Sequence, residues 1–262
     1  MTDYRDYEPI HPRGFDWRRL LRAIWAPIAA LIGLAVKFGF VFVKFFSIFI
    51  SVAAYALLGG WQWGVGVVLL IFVHEMGHWL EARRQGLEAS WPTFIPFIGA
   101  YVLIRHAGLP PWRNALISLA GPFLGGIGAA VCWGIGGARD SQLFMTLAYT
   151  GFLLNLFNLL PVVPLDGGRA MAALSPWLWL VGFGALAALA FAWPNPIMLL
   201  ILVFGGLESW RRWQERKSPE GRAYYNVARH SRILVAATYI VLAGLLAFGM
   251  AGTHVPRTFG DA

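Results

Sequence analysis

Two histidines and a glutamate stand close together near the end of an otherwise apolar run. His74, Glu75 and His78 form the pattern H-E-x-x-H. On a helix, residues four apart lie one above the other on the same face, so both imidazoles can reach one ion. Zinc binds imidazole nitrogen at about 2.0–2.1 Å, and the glutamate between the histidines can take the proton of a water that the metal activates. The spacing therefore predicts a zinc site on a helix, with Glu75 as general base.

The apolar surroundings of this motif argue against the ordinary alternative, in which two polar residues lie on the surface of a soluble helix. Residues 67–73, directly before His74, are all apolar. A charged side chain near the middle of a membrane helix costs roughly 2.5–3.5 kcal/mol and usually marks a functional site. A bound metal is the simplest partner that would stabilise three polar groups there.

The composition indicates a membrane protein. Of 262 residues, 58% are hydrophobic and 13% are charged, which is too apolar for an ordinary soluble domain. We expect an all-α polytopic membrane protein with about six to seven transmembrane helices, since several apolar runs approach the length that spans a bilayer. The expected spans are residues 39–58, 61–80, 115–134, 143–160, 177–192, 196–204 and 233–250. The apolar run at residues 24–36 is short and contains a proline, so it is interpreted as an interfacial or partly inserted segment.

Residues 91–104 do not fit a spanning helix. Two prolines and a glycine interrupt them, and their β-branched and aromatic content favours extended structure. Irregular backbone at membrane depth is tolerated only where protein covers it or water reaches it. We therefore expect a short membrane-embedded hairpin or re-entrant segment close to the histidines.

The net charge is +8, but no basic stretch is interleaved with aromatic residues in a soluble module, so no nucleic-acid partner is expected. The distribution of the positive charges instead predicts the membrane topology. Placing the amino terminus in the cytoplasm puts nearly all loop arginines inside, and the histidines then lie toward the cytoplasmic leaflet. The expected organisation is a cytoplasmic tail (1–22), a membrane core (23–207), a basic cytoplasmic segment (208–232) and a last helix with its tail (233–262). The basic segment is interpreted as an ordinary inside loop or as a site for anionic lipid or a partner.

A catalytic zinc site typically has three protein ligands, so one more ligand is expected. Asp166, flanked by Leu165 and two glycines after the fourth predicted span, is the strongest candidate. The alternative for Asp166 is a helix N-cap. His106 is a weaker candidate for the third ligand, and the histidines in the polar tails and loops are poorly placed. These are His11, His230 and His254.

The chain resembles a known family, the site-2 proteases, which are intramembrane zinc metalloproteases. The resemblance rests on H-E-M-G-H-W-L-E-A-R-R-Q-G at residues 74–86 and on N-L-L-P-V-V-P-L-D-G-G at residues 158–168. It extends to the A-G-P sequence at residues 120–122 and covers about residues 55–170. No PDZ or CBS domain is expected in this length.

The resemblance implies specific roles for residues in both motifs. His74, His78 and Asp166 would bind one zinc ion per chain, Glu75 would be the catalytic base, and Asn158 would bind the substrate backbone or its oxyanion.

Other positions are less closely constrained by the resemblance. Asn155 would share the role of binding substrate or serve in packing. The family often has an asparagine four residues after the glycine of its G-P element, where this chain has Gly125, so any contact from that side chain is missing or supplied elsewhere.

The expected function is therefore cleavage of a single-span membrane-protein substrate within the lipid bilayer. Segment 94–104, through Val102 and Ile104, would pair with the locally unwound substrate as an added strand. Substrate selection would depend on the membrane parts or on a separate adaptor or regulatory protein. Two alternatives remain, a divalent-metal transporter and an inactive relative that binds membrane proteins. The clustering of polar residues at one depth argues against the first, and the intact motif argues against the second.

Overall fold

A computed structural model describes residues 17–105, 108–175, 177–192 and 196–254. The predicted cytoplasmic tail up to residue 16, His11 and His106 lie outside the described residues. The chain divides into two compact units, Met1–Phe46 and Ser47–Ala262. Helix α1 is assigned to Trp17–Gly59, with Pro27 inside it. These residues include the predicted interfacial segment and the first predicted span.

In the described part of the second unit, eight helices follow. They are α2 (Trp61–Arg84), α3 (Pro111–Arg139), α4 (Gln142–Asn158), α5 (Asp166–Leu174), α6 (Leu178–Ala192), α7 (Pro196–Glu215), α8 (Pro219–Tyr224) and α9 (Arg229–Gly252). Of these, α2, α3 and α9 are long and apolar enough to cross a membrane. The last part of α1 (Phe46–Gly59) and α6 are shorter apolar helices. The architecture is thus mostly helical with at least three candidate spans, and the count of six to seven stays a prediction.

Four short strands lie between α2 and α3. They are β1 (Glu88–Ala89), β2 (Thr93–Ile95), β3 (Gly99–Tyr101) and β4 (Ile104–Arg105). β2 pairs antiparallel with β3, and β1 pairs antiparallel with β4. Between the two ladders, the Ser90 amide donates to the Leu103 carbonyl at 2.9 Å, so residues 88–105 form one interrupted hairpin. The predicted extended structure is present, and α2 packs against β1 and β3.

Helices α2, α3 and α4 form the centre of the second unit, with α5 and α9 packed against them. The approach of α2 to α3 is close because both helices carry small residues where they cross. A Cβ added at Gly77 would lie 2.1 Å from the Ala120 carbonyl oxygen. The backbones are therefore in direct contact at this crossing, as small residues in membrane helices allow. This crossing brings His78 against α3.

The turn between α4 and α5 is packed against the start of α5. A Cβ at Gly167 would lie 2.0 Å from the Leu159 carbonyl oxygen, and one at Gly168 would lie 2.3 Å from the carbonyl carbon of Val162. The indole Nε1 of Trp179 in α6 donates to the Gly168 carbonyl at 2.8 Å. The two glycines after Asp166 thus let α5 begin directly beneath the turn, which fixes the position of Asp166.

The basic segment predicted at residues 208–232 is divided between the end of α7, helix α8 and the start of α9. Glu208 accepts hydrogen bonds from Arg211 at 2.8 Å and from Arg212 at 2.7 Å. The bond from Arg211, followed by that from Arg212, holds the pKa of Glu208 below its ordinary value. The guanidinium of Arg216 lies 3.4 Å from the ring centroid of Trp213, a cation–π contact.

Candidate metal centre

Three donor atoms from two distant parts of the chain converge in the core. His74 Nε2 and His78 Nε2 each lie 3.2 Å from Asp166 Oδ2, and the two Nε2 atoms lie 3.1 Å apart. The three residues are between 6% and 8% exposed. The two histidines come from the C-terminal half of α2, and the aspartate is the first residue of α5. The structure thus brings together the residues that the sequence nominated as ligands.

The spacing of these atoms fits a four-coordinate zinc ion. Bonds of about 2.0–2.1 Å in a tetrahedral site separate the ligand atoms by roughly 3.3 Å. The observed separations are 3.1–3.2 Å. Asp166 Oδ2 is also a buried atom without a hydrogen-bond partner among the described residues. A buried carboxylate oxygen facing two ring nitrogens without a hydrogen bond is costly unless a cation joins them, so the donor set fits a metal.

The outer nitrogen of each ring supports this assignment. His78 Nδ1 lies 2.8 Å from the Ile117 carbonyl oxygen, and His74 Nδ1 lies 2.7 Å from Asn155 Oδ1. Both partners are acceptors, so each Nδ1 carries the proton and each Nε2 has a free lone pair. Metal-binding histidines usually have such an outer acceptor.

Glycines on α3 provide the space for these side chains. A Cβ at Gly121 would lie 2.3 Å from His78 Nε2, and one at Gly125 would lie 2.3 Å from Asn155 Oδ1. The sequence alone carries no signal that these two glycines face the site residues.

Glu75 lies beside the donor group without belonging to it. Its side chain is buried, with 6% exposed. Four ionisable side chains are close enough to interact electrostatically with its carboxylate, namely His74, His78, Asp166 and Arg169. Among the described residues, the converging donors are those of the two histidines and Asp166. This placement is compatible with a carboxylate that moves protons near a metal.

Asp166 does not have the cap geometry that was its alternative role. The N-cap residue of α5 is Leu165, and no side-chain cap hydrogen bond is present there. Asp166 is instead the first helical residue, with Oδ2 directed at the histidines. His230 and His254 are exposed, as their predicted positions in polar segments indicated.

The four residues predicted to bind substrate lie in different surroundings. Asn155 is 2% exposed and contacts His74. Asn158, the last residue of α4, is half-buried, and no hydrogen bond of its side chain occurs within the part of the chain that the structure describes. Val102 and Ile104 are half-buried in the second arm of the hairpin.

Part of this chain is similar to known proteins. Residues 63–140 match the family model described as Peptidase family M50. The chain is 32% identical over 170 residues to the Mycobacterium tuberculosis protein named "Putative zinc metalloprotease Rip3", covering 60% of this chain and 42% of that protein. It is 26% identical over 183 residues to "Zinc metalloprotease MJ0392" of Methanocaldococcus jannaschii, covering 67% of this chain and 52% of that protein.

The chain spans about half the length of these relatives. The segment that matches the family model contains nearly all of α2, with both histidines, and α3 with the glycines that accommodate the site. The relatives carry zinc metalloprotease names, in agreement with the donor set that α2 and α5 bring together. The family match and the names of these relatives agree with the site-2 protease resemblance that the two motifs carry.

Proposed function

We propose that this chain is an intramembrane zinc metalloprotease that hydrolyses a peptide bond within or near the transmembrane segment of a membrane protein. The observation that carries the proposal is the buried triangle of donors with Glu75 beside it. Both histidines and Glu75 lie on α2, a helix apolar enough to cross a membrane. His74, His78 and Asp166 would hold one zinc ion. A transporter would need polar groups along a path, whereas these groups lie at one place.

The chemistry divides between the metal and the protein. When bound, zinc supplies a Lewis acid that polarises a carbonyl and lowers the pKa of water to about 7. Glu75 takes a proton from the attacking water and delivers it to the leaving amine. The half-buried amide of Asn158, near the start of the turn that leads to Asp166, would donate to the substrate carbonyl oxygen. The surrounding apolar core limits the access of bulk water.

The hairpin at residues 88–105 is the proposed docking element for the substrate backbone. A transmembrane helix hides its peptide bonds, so it must unwind before cleavage. Each strand of the hairpin pairs with a single other strand among the described residues, which leaves edges that can accept an added strand. Val102 and Ile104 lie on the arm that would contact the substrate.

Proline substitutions test this docking. Val102→Pro and Ile104→Pro remove backbone donors and should reduce cleavage while zinc content is unchanged. Val102→Ala and Ile104→Ala keep the backbone donors and serve as controls. Cleavage by the proline variants at the wild-type rate would refute the docking element.

The proposed orientation places the amino terminus in the cytoplasm and the metal centre toward the cytoplasmic leaflet, because the arginines of the predicted loops then lie inside. Arg84, exposed at the end of α2, is the site for a test. In a Cys132→Ala background, an Arg84→Cys variant should react with a membrane-impermeant thiol reagent only in inside-out vesicles. Labelling from the outer side would reverse the proposed orientation.

The proposed activity itself is tested by Glu75→Gln in the purified protein, reconstituted with a single-span reporter. Loss of the base should lower cleavage by about 10²–10⁴-fold, while zinc stays bound. The control is Glu81→Gln on the same helix, where the carboxylate pairs with Arg84 instead of lying at the site. A metal flux that survives Glu75→Gln would indicate a transporter, and the absence of cleavage in wild-type protein that holds zinc would indicate a binding protein.

A further inference from the structure

We infer that Asn155 is a positioning residue for His74: its side-chain carbonyl selects the tautomer and the ring orientation that direct Nε2 at the metal site. This inference rests on the proposed function, since it concerns the same centre. It assigns to Asn155 a role different from the substrate contact or packing expected for it from the sequence.

The amide of Asn155 is held in one orientation by its own helix. Nδ2 donates to the carbonyl of Gly151, one turn earlier in α4, at 2.7 Å. Oδ1 therefore faces the other way, where it lies 2.7 Å from His74 Nδ1. If the amide were flipped, Oδ1 would face the Gly151 carbonyl oxygen, and two acceptors would oppose each other without a proton between them. The hydrogen bonds thus assign the proton to Nδ1 and leave Nε2 as a lone pair.

The surroundings of the amide leave it little freedom. Asn155 is 2% exposed, so no bulk water competes for its carbonyl. A Cβ at Gly125 of α3 would lie 2.3 Å from Oδ1 and 2.7 Å from Nδ2. The amide therefore occupies the volume that a side chain at residue 125 would take, and three helices meet at this point. α2 supplies the ring, α4 supplies the acceptor, and α3 supplies the space.

The two histidines differ in how they are held. His78 donates to a main-chain carbonyl, that of Ile117, which no substitution at that residue removes. His74 depends on a side chain, which a single substitution can remove. Outer acceptors of metal-binding histidines typically contribute 10–100-fold to metal affinity. The role of Asn155 can therefore be measured separately from the ligands themselves.

The test compares two substitutions of similar size by the zinc dissociation constant, measured by chelator competition on purified protein. Asn155→Leu keeps the volume and loses the acceptor, so it should weaken zinc binding by about 10–100-fold. Asn155→Asp keeps an acceptor toward His74 but loses the donor to the Gly151 carbonyl, so it should weaken zinc binding less than Asn155→Leu does. The visible spectrum of the Co²⁺-substituted protein should change in the leucine variant and stay close to wild type in the aspartate variant.

A second variant disturbs the hydrogen bond between Asn155 and His74 without changing either residue. Gly125→Ala places a methyl group where the amide lies, so it should also weaken zinc binding and alter the Co²⁺ spectrum. Gly134→Ala is the matched control, because a Cβ at this exposed residue of the same helix meets nothing within 4 Å. Zinc affinity of Gly134→Ala should equal that of wild type.

The outcomes separate this inference from the proposed function. If Asn155→Leu binds zinc with wild-type affinity and an unchanged Co²⁺ spectrum while the wild type cleaves its reporter, the positioning role is refuted and the protease stands. Equal losses in the leucine and aspartate variants would also refute it, because the acceptor would then be irrelevant. Wild-type protein without zinc would refute the proposed function and the inference together.

Discussion

Replacing Gly121 by alanine should disable the metal centre without touching a ligand. The added Cβ would lie 2.3 Å from His78 Nε2 and 2.3 Å from His78 Cε1. Ordinary contact begins at about 3.4 Å, so the ring must move by about 1.1 Å or the helices must separate by a similar distance. The ring cannot turn freely, because its Nδ1–H donates a hydrogen bond to the Ile117 carbonyl oxygen.

A shift of this size is large for a metal ligand. Zinc–ligand distances vary by about 0.2 Å between sites, so a displacement of about 1.1 Å removes His78 from the set. Zinc affinity should therefore fall by more than about 100-fold, beyond the effect of an altered outer partner. The assay is zinc per chain after dialysis against a chelator of known affinity. Gly134→Ala, on the same helix and without a neighbour, should keep its zinc. Retention of zinc by Gly121→Ala at wild-type affinity would show that α3 does not confine His78.

Three further predictions concern how the site is supported. Trp179→Phe removes the 2.8 Å hydrogen bond to the Gly168 carbonyl and should lower the free energy of unfolding by about 0.5–1.5 kcal/mol. Trp210→Phe, at an exposed residue, is the control and should have little effect on stability. Melting curves in detergent compare the two variants. Tyr239→Phe removes a hydrogen bond to the Leu159 carbonyl, and a cost of about 1 kcal/mol should lower Tm by about 2–4 °C, while an unchanged Tm would argue against this contact. Removal of zinc should lower Tm, because a ligand that binds only the folded state stabilises it by about 4.1 kcal/mol at a thousandfold excess over Kd. A Tm that changes neither on chelation nor on addition of zinc would contradict this dependence on the ion.

The sequence predicted the chemical centre because local spacing carries most of that information. Two histidines four residues apart must share a helix face, and a membrane environment makes their presence costly without a partner. Asp166 followed from the need for a third ligand and from its apolar flanks. The extended segment between α2 and α3 followed from two prolines and a glycine. In each case a short stretch of sequence limits the structures it can form.

The remaining features depend on how helices cross, which a single sequence does not encode locally. Asn155 and His74 are 81 residues apart, and whether they meet depends on the rotation of α4 against α2. Gly121 and Gly125 read as small packing residues, but which side chain each accommodates is decided by the α2–α3–α4 crossing. The number of spans likewise depends on how the helices pack. α4 and α6, with 17 and 15 residues, are shorter than a bilayer requires of an upright helix, and hydropathy alone does not distinguish a tilted or partial span from a buried helix.

The rings of α2 and the carboxylate at the start of α5 should share one metal ion. Metal analysis of the purified wild type and of an Asp166→Asn variant tests it most directly. The expected result is one zinc per chain in the wild type and loss of that zinc from the variant under the same dialysis. A wild type without stoichiometric zinc, or a variant that keeps zinc with wild-type affinity, would contradict the account.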